Sequence, residues 1–249
     1  MRPVDDIFDD EAFARLYDLF NPWGPGDDFY LALALESGGP VLDLGCGTGM
    51  LACRIAGEVS PVVGVDPAAG MLRIARSRPG AKLVEWIEGD ARRLDLGRRF
   101  NLIYMTGHAF QVFLTDEDAL AVLRAAARHL SPRGRLAFET RNPAARAWLS
   151  WTAEQSRTVA PMTRRGRIEE SCGAEFDPVT GIAALTHRYR FLDEGGEQIA
   201  HSRIRFLDQP HIALLLETAG LAPLAWHGDW DRSPYSTAAK ELIAVARLI

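Results

Sequence analysis

Residues 41–49 read Val-Leu-Asp-Leu-Gly-Cys-Gly-Thr-Gly, a short apolar run that passes directly into spaced glycines. Gly45, Gly47 and Gly49 tolerate backbone conformations closed to other residues, so the turn can bring bare N–H groups and a helix N-terminus against a ligand. Nucleotide-type cofactors are held at such turns, which leaves the choice among them open. The spacing narrows it: a dinucleotide fingerprint requires glycine or alanine at position 50, where this chain has Met50. Asp43 stands two residues before the first glycine. A carboxylate there repels a pyrophosphate and suits a cation.

A second carboxylate, Asp66, follows Gly47 by 19 positions and ends the apolar run Val62-Val63-Gly64-Val65. At the tip of a second strand it can accept both hydroxyls of a ribose, in this or in a nicotinamide enzyme, or it can cap the following helix. Cys46, Cys53 and Cys172 have no metal-ligand spacing, and the sequence points to no metal site. Cys46 is expected to pack while its backbone binds; neither it nor Cys172 has the surroundings of an activated thiolate.

The positioning elements follow from periodicity. Apolar residues at helical spacing predict helices over about 10–20 and 27–36, separated by Asn21-Pro22-Trp23-Gly24-Pro25-Gly26. Strands are expected at 41–45, 62–66, 83–88, 102–105 and 135–140, with helices at 48–57 and 68–78. A further helix is opened by the capping pair Thr115 and Asp118. Strand–helix alternation of this kind implies right-handed crossovers and a parallel sheet. After Arg141 the rhythm changes. A short helix near 143–151 precedes three segments of period-two alternation at about 167–176, 182–192 and 198–207, an antiparallel unit inserted in the α/β core. A helix at 209–219 and strands at 221–227 and 241–248 complete the core. The expected division is an N-terminal helical cap (1–38), a core (39–150 and 208–249) and a β-rich lid (151–207).

Within residues 157–205, eight arginines stand against seven carboxylates, so Arg188, Arg190, Arg203 and Arg205 read as a solvated face with cross-strand pairs. The other face, with Leu185, His187, Tyr189 and Phe191, either roofs a pocket or packs on the core. The lid strands could also supply a homodimer edge. A net charge of −5 argues against nucleic acid as the main partner. The odd number of cysteines fits free thiols in a reducing cytoplasm. The acidic N-terminus lacks the apolar run of a signal peptide, and no stretch has the length of a membrane span.

Together, Asp43, the G-x-G-x-G turn, Asp66 and the Asp90-Ala91 pair resemble the motifs of the class I S-adenosylmethionine-dependent methyltransferases. The resemblance covers about 41–140 by motif and the remaining core by rhythm. It implies an α/β fold with a doubly wound, mostly parallel seven-stranded sheet whose last strand is antiparallel, plus the inserted lid. It implies S-adenosyl-L-methionine as cofactor, a small-molecule acceptor with an N or O nucleophile, and in-line displacement. By the same resemblance Tyr17, Asp43, Gly45, Cys46, Gly47, Thr48, Gly49, Asp66, Pro67, Met71, Asp90, Ala91, Met105 and Thr106 contact the cofactor. Asp90 and the Ala91 N–H would read the adenine edge, with a helix cap as the competing role for Asp90. Tyr17 and Trp23 resemble the N-terminal segment that covers the cofactor, although their spacing also fits packing.

Ligands of open α/β sheets lie beyond the carboxyl ends of the strands, which sends Met105-Thr106-Gly107-His108-Ala109-Phe110 past the reacting centre. His108 is the candidate acid–base residue, its side-chain type being suited to taking a proton near neutrality; simple hydrogen bonding to a ligand is its alternative. Trp23, His108, Phe110 and Arg141 are the candidate substrate residues. Two rival functions stand: an NAD-dependent oxidoreductase, disfavoured by the glycine spacing, and a non-catalytic S-adenosylmethionine-binding protein.

Overall fold

The computed structural model describes residues 8, 11–160, 163 and 166–249. Residues 1–7, 9 and 10 of the expected cap, and Pro161, Met162, Arg164 and Arg165 of the lid, lie outside the described residues. Among the described residues, eleven strands form two sheets.

Helix α1 (Glu11–Phe20) and helix α2 (Pro25–Ser37) come first. The Gly24 N–H donates to the Asp27 carboxylate at 2.8 Å and Pro25 opens α2, while Gly38 closes it at φ 57°. The core elements are β1 (Val41–Leu44), α3 (Met50–Ala56), β2 (Val62–Asp66), α4 (Ala69–Ser77), β3 (Val84–Glu88), β4 (Phe100–Met105), α5 (Asp116–His129) and β5 (Leu130–Arg141). The lid contributes β6 (Thr158–Val159), β7 (Ile168–Asp177), β8 (Ile182–Phe191) and β9 (Glu197–Arg205). Helix α6 (Gln209–Thr218), β10 (Leu221–His227) and β11 (Glu241–Leu248) return to the core.

The main sheet has the order β10-β11-β5-β4-β1-β2-β3, with β5-β4-β1-β2-β3 parallel and β11 antiparallel to both neighbours. Both its faces are covered, which is why β1 and β2 are buried along their whole length. Leu42, Leu44, Ile103, Met105 and Phe138 pack on α5 and α6; Val41, Val62, Leu102 and Tyr104 pack on α2 and α3.

Three local differences separate the structure from the expected pattern. The helix near 143–151 is instead two 3₁₀ turns, Pro143–Ala145 and Ala147–Ser150, parted by Arg146 in the left-handed region. β5 begins five residues early, because Leu130 already pairs with Phe100 before Ser131-Pro132-Arg133-Gly134 shifts the register. The lid sheet, ordered β6-β7-β8-β9, has the short extra strand β6.

Two arginines of the charged lid face make the expected cross-strand pairs, Arg188 with Glu197 and Arg190 with Glu169 at 3.4 Å, whereas Arg205 pairs with Asp116 of α5 at 2.7 Å. The opposite face is covered by packing. Tyr189 and Phe191 meet Phe13 and Leu16 of α1, while Leu185 lies in a cluster with Phe206, Trp148 and Trp151. His187 bonds Ser202 on the neighbouring strand.

Candidate functional site

The glycine turn is set from two sides. Gly45 and Gly47 adopt φ of 80° and 52°, and the Gly47 N–H donates to Asp66 Oδ2 at 2.8 Å; the Ala68 N–H donates to Oδ1 at the same distance. The carboxylate at the tip of β2 therefore shapes the turn and caps the chain entering α4, and its remaining lone pairs stay available to ligand hydroxyls. Burial raises its proton affinity, and the two N–H donors oppose that. Gly49, at φ 74°, has a different reason to be glycine. A β-carbon there would run into Trp86 and come within 2.9 Å of Ala75. Cys46 is buried, and burial pushes its thiol up, in keeping with an inert side chain.

Asp43 is 1% exposed and pairs in register with Tyr104, whose hydroxyl donates to Oδ2 at 2.8 Å. The other oxygen, Oδ1, is buried without a partner. Burial pushes this carboxyl up to about 8, the Tyr104 bond pulling the other way. An orphaned acceptor on a buried carboxylate calls for a donor, and a cation supplies both donor and counter-charge.

α1 is fastened across the turn. The Thr48 hydroxyl donates to Asp18 Oδ1 at 2.6 Å, Arg78 donates to the Thr48 carbonyl from Nε at 2.6 Å, and the Arg78 guanidinium pairs with Asp18. Tyr17 packs with Ala14, Ala68 and Met71, and its hydroxyl lies 3.4 Å from where a β-carbon on Gly107 would stand. Burial and the neighbouring Asp18 push its phenol up to about 12. Pro67 is exposed beside this cluster.

Beyond β3, Asp90 is held by Arg92. Its Oδ1 accepts the Arg92 N–H at 3.0 Å, and both oxygens take the guanidinium, whose Nη1 reaches Asp118 at 2.8 Å. The Arg92 bonds hold the Asp90 carboxyl below the ordinary range. The helix-cap role is thus present, in a 3₁₀ turn, along with an ion pair that spacing did not suggest. Ala91 is half-buried against the core behind it.

The loop after β4 is the crowded part. Met105 is buried in the core, Thr106 is half-exposed, and Gly107 and His108 are both left-handed, at φ 67° and 59°. A left-handed histidine is strained, and two bonds hold it. Its N–H donates to Glu139 Oε1 at 2.7 Å, and its Nε2 lies 2.9 Å from Glu241 Oε2. Glu139 also accepts from the Tyr30 hydroxyl. Burial pushes Glu139 up, while His108 and Tyr30 pull it back. The loop abuts the glycine turn, since a β-carbon on Gly45 would stand 3.2 Å from the Ala109 β-carbon.

Arg141, at the end of β5, donates from Nη1 to Gln111 at 3.0 Å and lies over the Trp151 ring at 5.2 Å. Burial lowers its proton affinity, which Glu241, Glu139 and Tyr17 raise. Gln111 in turn donates to the Arg205 carbonyl at 3.1 Å, joining loop, sheet and lid.

Tyr17, Asp43, the glycine turn, Asp66, His108 and Arg141 therefore share one edge of the sheet. Phe110 and Trp23 stand apart from it. Phe110 is 2% exposed, with its ring centroid 4.3 Å from that of Phe138 in the core. Trp23 is 37% exposed and donates from Nε1 to Asp28 at 2.8 Å. Glu139, Glu241, Tyr30, Gln111, Asp18 and Arg78 join the site unforeseen. Alternation and strand ends could have flagged Glu139, a lone carboxylate in an apolar strand. Among the described residues no cluster suited to a metal ion is found, and no helix is long and apolar enough to cross a membrane.

Comparison with known proteins agrees with this geometry. Residues 41–134 match the model of a methyltransferase domain. The chain is 26% identical over 242 residues to the cypemycin N-terminal methyltransferase of a Streptomyces species, covering 95% of this chain and 96% of that one. It is 32% identical over 179 residues to the ubiquinone biosynthesis O-methyltransferase of Azorhizobium caulinodans, covering 61% of this chain and 69% of the relative. The CcbJ methyltransferase of Streptomyces caelestis shares the fold at a TM-score of 0.78 and 22% identity, over 98% of both chains. From its glycine turn to its antiparallel last strand, the chain belongs to the class I S-adenosylmethionine-dependent methyltransferases.

Proposed function

We propose that this enzyme methylates an amine nitrogen on a small-molecule acceptor, with His108 taking the proton that the amine must lose. The observation that carries the reading is the placement of His108. Its strained backbone sits against the glycine turn, and its ring is held by Glu241. Two carboxylates, Glu139 and Glu241, against one guanidinium, Arg141, leave that edge negative, which suits an acceptor arriving as an ammonium. The relative named as an N-terminal methyltransferase supports nitrogen as the nucleophile.

The residues fit S-adenosylmethionine. Asp43 Oδ1 is the unpaired acceptor for its ammonium, Asp66 has lone pairs for the ribose hydroxyls, and Gly47 has nothing within 4 Å on its β-carbon side. When bound, the cofactor supplies a methyl group on a sulfonium, a leaving group already activated by its charge. The protein then has to position the nucleophile, keep water out and accept a proton. α1, fastened by Asp18 and Thr48, would do the covering. A formal charge of −5 supports a small acceptor over nucleic acid, and three free cysteines support a reducing cytoplasm. A second copy would pair on the open edge of β9, where Ile199 is exposed.

The test is turnover with S-adenosylmethionine against a tripeptide with a free α-amine, an amino sugar and a catechol, read by mass. Methylated amine is expected, and His108→Ala should lower that turnover by about ten- to a hundred-fold with unchanged cofactor affinity. Methylation of the catechol alone would remove the amine assignment, and full activity in His108→Ala would remove the base.

A further inference from the structure

We infer that Glu241 is the positioning residue of this site, fixing the His108 tautomer so that Nδ1, and not Nε2, is the atom that accepts the acceptor's proton. This rests on the reading of His108 as proton acceptor and adds to it which atom works and what aims it.

Three observations converge. Nε2 of His108 lies 2.9 Å from Glu241 Oε2, with both side chains mostly buried. A carboxylate only accepts, so at neutral imidazole the hydrogen of that bond belongs to Nε2 and the lone pair is left on Nδ1. Second, the backbone that carries the ring is fixed, so the ring leaves the chain in one direction and its contact with Glu241 sets its orientation. The His108 backbone is pinned at φ 59°, ψ 27° by its N–H bond to Glu139, which the Tyr30 hydroxyl holds in turn. Third, Glu241 is itself aimed by register. It opens β11 directly opposite Arg141, the last residue of β5, whose charge it offsets.

The groups facing His108 are thus Glu139 and Arg141 from β5, Glu241 from β11, Tyr30 from α2 through Glu139, and Tyr17 from α1 beside Gly107. In the step itself, the ammonium N–H bond breaks and its proton forms a bond to Nδ1. The imidazolium then carries hydrogens on both nitrogens, with Glu241 facing the Nε2–H as counter-charge. With the cofactor bound, the freed amine lone pair would be the nucleophile toward its sulfonium methyl, the carbon–sulfur electron pair leaving with the neutral thioether. The logic is that of a histidine oriented by a buried carboxylate in acyl transfer.

The experiment is long-range proton–nitrogen NMR on the full chain with ¹⁵N-histidine, free of cofactor, at alkaline pH, the His108 signals being those lost in His108→Gln. The expected spectrum has a protonated Nε2 and a bare Nδ1. Glu241→Ala, which removes the acceptor facing Nε2, should let hydrogen appear on Nδ1 in part of the population and lower turnover of the tripeptide amine by about ten-fold or more with KM little changed. A wild-type spectrum with hydrogen on Nδ1, or an unaltered tautomer in Glu241→Ala, overturns the inference. Full turnover in His108→Ala would instead overturn the proposed proton acceptor, while the spectra still decide what Glu241 does.

Discussion

Thr48 donates its hydroxyl to Asp18 at 2.6 Å, and Arg78 grips both, so the helix over the glycine turn is fastened to the turn itself. Asp18→Ala removes the acceptor common to both donors. The pair is partly solvated, so the loss should be about 1 kcal/mol, or some five-fold in affinity for S-adenosylmethionine. Calorimetry would measure it, and hydrogen exchange should rise in residues 11–20. Unchanged affinity and exchange would mean that α1 is held by apolar packing, through Phe13, Leu16, Ala14 and Tyr17.

Asp43 makes cofactor binding depend on pH. Its carboxyl is raised from the ordinary range to about 8, so below that pH the free protein carries a proton there. An ammonium partner requires the ionised form. Affinity should therefore tighten as pH rises through about 8, with proton release visible as buffer-dependent heat of binding. For the free protein the sign is opposite: the stability held by the protonated carboxyl is lost as pH rises through that value. Asp43→Asn should flatten both profiles.

The turn glycines should separate by position. Gly49→Ala puts a methyl into Trp86 and Ala75 at φ 74° and should cost about 2–3 kcal/mol in urea denaturation. Gly47→Ala meets open space at φ 52°, so it should cost only about 1 kcal/mol while weakening cofactor binding. Equal costs at the two positions would contradict the packing assignment.

Phe110 belongs to the core in spite of its place in the sequence beside His108. Phe110→Ala should destabilise the protein by about 3–5 kcal/mol and leave cofactor affinity untouched in the folded fraction. A loss of acceptor binding without a loss of stability would return it to the site.

The fold was readable because each parallel strand is an apolar run closed by a turn signal, and because Asp43, Asp66 and the glycines lie within 25 residues of one another. The cluster around His108 was not. Tyr30 meets Glu139 across 109 positions, and His108 meets Glu241 across 133, pairs that only sheet order brings together. Phe110 lies in the core for a local reason. Two successive left-handed residues, Gly107 and His108, turn the chain back so that the side chain two positions later faces the core. The Asp90–Arg92 clamp, at a spacing of two, was close at hand but indistinguishable from ordinary charge in a loop.

The strand that carries Glu241 is the last one in the chain, yet it is not at the rim of the sheet; it is wedged between β5 and β10. β10 therefore has no seat in the sheet until β11 has found its own, and β11 reaches β5 across about a hundred residues, a slow kind of closure. The glycine turn is closed by β1 and β2, near neighbours in sequence, whereas Glu241 reaches His108 only through the distant pairing of β11 with β5. Loosening Ile243 or Val245, both buried in β11, would unhook β10 and carry off Glu241 in one motion, leaving a protein able to hold the methyl donor before it can use it.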